Sequence, residues 1–119
     1  MKYLLQMITD ESYWQKLSPE ETQPMIEAID AYNNELQSAG VWVSAEGLDF
    51  SANAKTVRVT PDGGRTVTDG PFANAKDQFG GYRVIETPMI DEAVDWAKRV
   101  PLSVGGIEVR PILPRDQNP

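Results

Sequence analysis

The 119-residue chain contains no cysteine and no histidine. Without cysteine there is no disulfide framework, no thiolate nucleophile and no zinc–thiolate site. Without histidine, the commonest near-neutral general base and the commonest metal ligand are both missing. A Ser-His-Asp or Cys-His site is therefore impossible within this chain. Acid–base chemistry would fall to Asp, Glu, Lys or Tyr. Positive charge is also short, with 11 Lys and Arg against 18 Asp and Glu, for a net charge of −7. A protein that holds phosphate backbones needs a basic face, so nucleic acid is not an expected partner. The acidity reads as a contribution to solubility. Long apolar runs are missing too. The first eight residues are interrupted by Gln6 and followed by Thr9-Asp10-Glu11. That segment is too short and polar for a signal peptide or a membrane span. We expect a cytoplasmic protein with no membrane partner.

What is present fits one domain of ordinary size. Tyr3 to Ile8 reads as a first strand, ended by Thr9-Asp10. Ser12 to Leu17 reads as a connection carrying Tyr13 and Trp14. Ser18-Pro19-Glu20-Glu21 is a helix start: Ser18 caps, Pro19 suits the first helical position and Glu21 completes a capping box. Met25, Ile29, Tyr32 and Leu36 follow at helical spacing, and Gly40 ends the helix. Pro24 predicts an offset or kink after the first turn.

Val41 to Ser44 predicts a second strand. Thr56-Val57-Arg58-Val59-Thr60, the turn Pro61-Asp62-Gly63-Gly64 and Arg65-Thr66-Val67-Thr68 predict a β-hairpin. Gly81 to Ile85 predicts a further strand. A helix then carries Ile90, Ala93, Val94, Ala97 and Val100 and ends at Pro101. Gly106 to Arg110 predicts a last strand. The order is β-α-β, a hairpin insertion, then β-α-β, which predicts an α+β, ferredoxin-like split βαβ fold with an antiparallel sheet. We expect one domain over residues 1–111 and a C-terminal tail over 112–119. The first strand is apolar on both sides, so the sheet face without helices needs a cover. A second copy of the chain, giving a homodimer, is the simplest.

Asp69 is the leading candidate for chemistry. It stands in Thr68-Asp69-Gly70-Pro71-Phe72, where Gly and Pro force an extended segment to stop. It reads either as a carboxylate held in a cleft to move a proton or as a turn-former bonded to local N–H groups. The remaining candidates have bland alternatives. Glu46 lies at the end of the second strand, either near Asp69 or as a solvated loop acid. Lys76 either fixes an anion, pairs with Asp69 or is a surface lysine. Arg58 and Arg83 sit inside strands, where outward placement avoids burying a charge. Tyr3 and Tyr82 either line a cleft or pack. The Gly pairs lack the spacing of a nucleotide fingerprint, and no metal-loop pattern occurs. A site here would work without cofactor or metal, on a small molecule.

These residues, taken together, resemble a known family. Met1-Lys2-Tyr3-Leu4-Leu5, Leu17-Ser18-Pro19-Glu20-Glu21, Glu46-Gly47-Leu48 and Thr56-Val57-Arg58-Val59 come first. Thr68-Asp69-Gly70-Pro71-Phe72, Gly80-Gly81-Tyr82, Asp91-Glu92-Ala93, Trp96-Ala97 and Glu108-Val109-Arg110-Pro111 follow. In this order and at natural spacing, they resemble the DGPF branch of the YCII-related proteins. The resemblance implies a dimeric α+β barrel, in which two ferredoxin-like subunits stack sheet on sheet. That fold is shared with small lyases, isomerases and monooxygenases, and a shared fold does not transfer an activity. Some relatives in the wider group use a His–Asp pair, which a chain without histidine lacks.

The family's usual acid-Thr-Lys-Glu stretch after Phe72 is here Asn74-Ala75-Lys76-Asp77, so Lys76 survives, the first acid becomes Asn74 and the second becomes Asp77. Two functions follow as expectations. One is a small-molecule-binding protein or cofactor-free isomerase- or lyase-type enzyme centred on Asp69, with Glu46, Arg58, Lys76, Tyr3 and Tyr82 around the substrate. The other is a non-catalytic regulatory or protein-interaction module. The family's frequent gene neighbourhood with sigma factors suggests the second.

Overall fold

The computed structural model describes residues 1–117. Strand β1 (Lys2–Asp10) runs directly into a short helix α1 (Glu11–Gln15), where the sequence predicts only a connection. The helix forms because Asp10 caps it: its Oδ1 accepts from the Ser12 amide at 3.0 Å and from the Ser12 hydroxyl at 2.8 Å. Helix α2 (Pro19–Ser38) starts as expected, with the reciprocal Ser18–Glu21 capping box in place. It runs through Pro24 as one helix. Pro24 lies past the four free N–H groups of the first turn, so the helix forgoes the bond to the Glu20 carbonyl there.

Strand β2 (Trp42–Gly47) follows, then a single 3₁₀ turn at Ser51–Asn53. The hairpin is β3 (Lys55–Val59) and β4 (Arg65–Asp69), in register with Val57 opposite Val67. Strand β5 (Asp77–Glu86) begins four residues before the expected Gly81. An irregularity at Gly80, where the register slips between Met7 and Ile8, lets β5 keep pairing with β1 as far as Asp77. Helix α3 (Ile90–Ala97) and strand β6 (Gly106–Pro111) complete the core. Of the expected tail, Arg115–Gln117 form a 3₁₀ turn, and residues 118–119 lie outside the described residues.

The main sheet is antiparallel, in the order β2-β5-β1-β6. With the hairpin set aside, this is the strand order of a split-βαβ, ferredoxin-like α+β fold. The hairpin forms a separate two-stranded sheet. Both helices bury their apolar stripes on one face. Tyr32 and Leu36 of α2 and Ala93 and Ala97 of α3 pack on Tyr3, Leu5 and Ile85, with Ile107 and Val109 beside them. The register places Leu4, Gln6, Ile8, Tyr82 and Val84 on the opposite face. No helix among the described residues is long and apolar enough to cross a membrane.

Candidate functional site

Helix α2 packs tightly only in its second half. Tyr32 and Leu36 are its buried residues, while Ile29 one turn earlier is half-buried. The sheet beneath that first half presents small groups, Ala45 of β2 and Gly80 of β5, where large side chains would fill the gap. The result is a cavity of about 370 Å³ between α2, α1 and one end of the sheet. That lies within the range of small-molecule sites, roughly 300–1,000 Å³. Met7, Trp14, Ile29, Leu48, Phe50 and Leu102 give it mostly apolar walls, and Asn33 and Arg83 are its inner polar groups.

Arg83 is the unusual residue. Its parity in β5 is that of Ile85 and opposite to that of Val84, so it points toward the helices and is only 3% exposed. The outward placement expected for it is thus corrected. Both neighbours of Arg83 are apolar or aromatic, so strand parity could not be fixed from the sequence. Nε donates to Asn33 Oδ1 at 2.9 Å, Nη1 contacts Met7 Sδ at 3.2 Å, and the guanidinium lies 5.1 Å from the Tyr32 ring centre. Burial pushes the Arg83 pKa down, and the nearby Tyr32 opposes this. Burial also pushes the Tyr32 hydroxyl up to about 12, against the pull of Arg83 and Arg99. Tyr32 is thereby kept neutral, and its hydroxyl donates to the Trp96 carbonyl at 2.7 Å.

The outer wall is held by side-chain bonds between distant segments. Glu11 accepts from the Ser51 amide at 2.6 Å and from the Ser51 hydroxyl at 2.5 Å. These bonds tie the segment carrying Leu48 and Phe50 to α1. Trp14 Nε1 donates to the Thr9 hydroxyl at 2.7 Å, and that hydroxyl donates to the Val104 carbonyl at 3.1 Å. Each oxygen of the Glu11 carboxylate thus accepts one bond, both from Ser51.

The candidates named from the sequence scatter. Glu46 and Tyr82 border the cavity and lie opposite each other in the β2–β5 ladder. Their parity is opposite to that of Ala45 and Arg83, so their side chains belong to the other sheet face, where the Tyr82 ring sits 6.4 Å from Phe79. Tyr3 is in the core. Asp69 ends β4, its side chain 85% exposed and 2.5 Å from Lys55 Nζ. Lys76 lies 3.8 Å from Asp10, not beside Asp69. Arg58 donates to the Phe72 carbonyl at 2.7 Å and lies 4.5 Å from the Phe72 ring centre, which holds the Gly70-Pro71-Phe72 turn against the hairpin. Among these six, only Glu46 and Tyr82 touch the cavity. Reading by motif placed Arg83 outward and missed Asn33, Trp14 and Glu11 as cavity residues. One signal was available: Asn33 continues the Ile29–Leu36 stripe of α2 with a polar group, at a position that faces the sheet.

The fold and this cavity define a ferredoxin-like α+β protein with a ligand-sized recess under its first long helix. Comparison with known proteins gives the family. The YCII-related domain model matches residues 1–116, and the chain belongs to that family. It is similar to the uncharacterized protein R00369 of Rhizobium meliloti (strain 1021), with 32% identity over 115 residues, covering 94% of this chain and 92% of that one.

Proposed function

We propose that this member of the YCII-related family is a cofactor-free small-molecule-binding protein of the cytoplasm, of the DGPF branch, that works as a homodimer. The cavity under α2 carries this reading, because it joins apolar walls to a few converging polar groups, as small-molecule sites do. Binding is better supported than turnover. Both oxygens of Glu11 are engaged by Ser51, and Asp69 is ion-paired on the hairpin. Neither stands free beside a bound molecule to move a proton. Asp69 lies outside the cavity and accepts from Lys55 across the hairpin, with no backbone N–H bonded to its carboxylate among the described residues.

The homodimer is supported by the helix-free sheet face, where Leu4, Ile8 and Val84 are half-buried and Phe79 is 42% exposed. The interaction-module reading draws on the hairpin, whose Val57, Val59 and Val67 are all exposed. An isolated two-stranded hairpin is marginal in water, so these residues suit a contact with another chain.

The test is thermal unfolding with phenols, quinones, keto acids and lactones, for the wild type and for Ala45→Phe, which fills the cavity floor. A ligand at about a hundred times its Kd stabilises by roughly 2.7 kcal/mol. Shifts of several degrees in wild type that vanish in Ala45→Phe are expected. A panel that shifts neither protein would remove the small-molecule reading.

A further inference from the structure

Resting on that reading of the cavity, we propose that its ligand is a small organic acid with a single carboxylate on a compact apolar body, the carboxylate seated on Arg83. The guanidinium is buried, yet no carboxylate among the described residues lies within ion-pair distance of it. Its partners are Asn33 Oδ1, Met7 Sδ and the face of Tyr32. None of these bears a formal negative charge. A buried charge without a counterion is unfavourable, and structural arginines inside proteins are normally paired.

The geometry leaves room for the missing partner. A guanidinium has five N–H donors in a planar fork that matches a carboxylate. Nε and Nη1 have partners, while Nη2 makes no hydrogen bond among the described residues. No fully enclosed side-chain nitrogen or oxygen is left without a partner. Nη2 therefore reaches open space, and the open space that Arg83 lines is the cavity.

The other lining residues narrow the class. Arg83 is the one cation among them. Glu46 borders the opening, Glu11 lines the outer wall with both oxygens bonded to Ser51, and the chain carries a net charge of −7. A phosphate or a dianion would meet one positive group and a repelling surround. A monocarboxylate needs only one guanidinium, and Ile29, Trp14, Leu48, Phe50 and Leu102 accept its apolar part. The volume suits a body of one or two rings.

The experiment is calorimetric titration of the full chain with 2-naphthoate and with 2-naphthamide, which have nearly the same shape and differ in charge. The wild type is expected to bind the carboxylate at least tenfold more tightly than the amide. In Arg83→Met that preference should collapse to under twofold, and Arg83→Lys should keep part of it. The unliganded Arg83→Met protein should melt no lower than wild type, because the variant removes an uncompensated buried charge.

Equal affinities of the wild type for the two compounds would overturn the acid inference and leave the small-molecule reading standing. Failure of both compounds to bind the wild type would overturn the inference. The small-molecule reading would then be decided by the neutral members of the earlier panel. If Arg83→Met melts several degrees lower and the wild type shows no carboxylate preference, Arg83 is a structural residue. The wild-type comparison of acid and amide decides the matter even if the variant fails to fold.

Discussion

Burial acts on individual residues here through what it does to their charge. Arg83 and Tyr32 share one buried environment, and each is pushed toward its neutral form. For Tyr32 the consequence is testable. Its folded pKa of about 12 lies above the ordinary value of 10.0. The contribution of Tyr32 to stability is therefore complete below pH 10. It is lost as the pH rises toward 12, because the unfolded chain releases that proton first. Absorbance titration of the four tyrosines should show one late component that disappears in Tyr32→Phe. Stability of that variant should fall less steeply above pH 10. A titration in which all tyrosines ionise together near 10 before unfolding would contradict the assignment. The variant also loses the hydrogen bond to the Trp96 carbonyl, at a cost of about 1 kcal/mol near neutral pH.

Among the elements, α2 shows how local chemistry and packing divide the work. Its start is fixed by the reciprocal Ser18–Glu21 bonds and Pro19. Its hold on the sheet comes from Tyr32 and Leu36, and the unpacked stretch between these regions roofs the cavity. Ser18→Ala should cost about 1 kcal/mol in denaturant unfolding without changing the shape of the cavity.

The Ser18 amide, and then its hydroxyl, hold the Glu21 carboxyl below its ordinary value of 4.5. The stabilisation from Glu21 is thus present above pH 4.5 and is lost as the pH falls through its lower folded pKa. Glu21→Gln should flatten the acid limb of the stability curve. A limb as steep as that of the wild type would assign acid sensitivity to other carboxylates. The hairpin is the contrasting element. Its Thr-Asp-Gly-Pro-Phe turn is held by Arg58, by Lys55 and by the Gly70 amide donating to the Ala54 carbonyl at 2.7 Å. The most distinctive motif in the sequence thus shapes a projecting arm, away from the cavity.

Considered as a whole molecule, the chain is flat, with extents of 48 × 45 × 17 Å. Among the described residues, helices cover one sheet face and none covers the other. The open face mixes apolar groups with a polar set in which Gln6 Nε2 donates to Glu108 at 2.9 Å and Arg110 pairs with Glu108 at 2.6 Å. If two such faces stack, sedimentation should give twice the chain mass across a wide concentration range. Val84→Glu should then halve it while leaving the far-ultraviolet circular dichroism unchanged. A wild type that sediments as a single chain would rule out the homodimer and leave the open face for a different partner.

The sequence by itself determined the order of the core elements, the hairpin insertion and the start of α2. Those features depend on nearest neighbours: strand alternation, capping residues, and glycine and proline at turns. The family resemblance also stood in the sequence, because its motifs run through almost the whole chain. The site was decided only by tertiary structure. Whether Arg83 faces the helices depends on which side of β5 the helices settle, and β5 is apolar on both sides. The cavity exists because α2 lies over Ala45 and Gly80, which belong to two strands far apart in the chain. The ion pair that occupies Asp69 forms across the hairpin to Lys55, and only the folded register sets that partner.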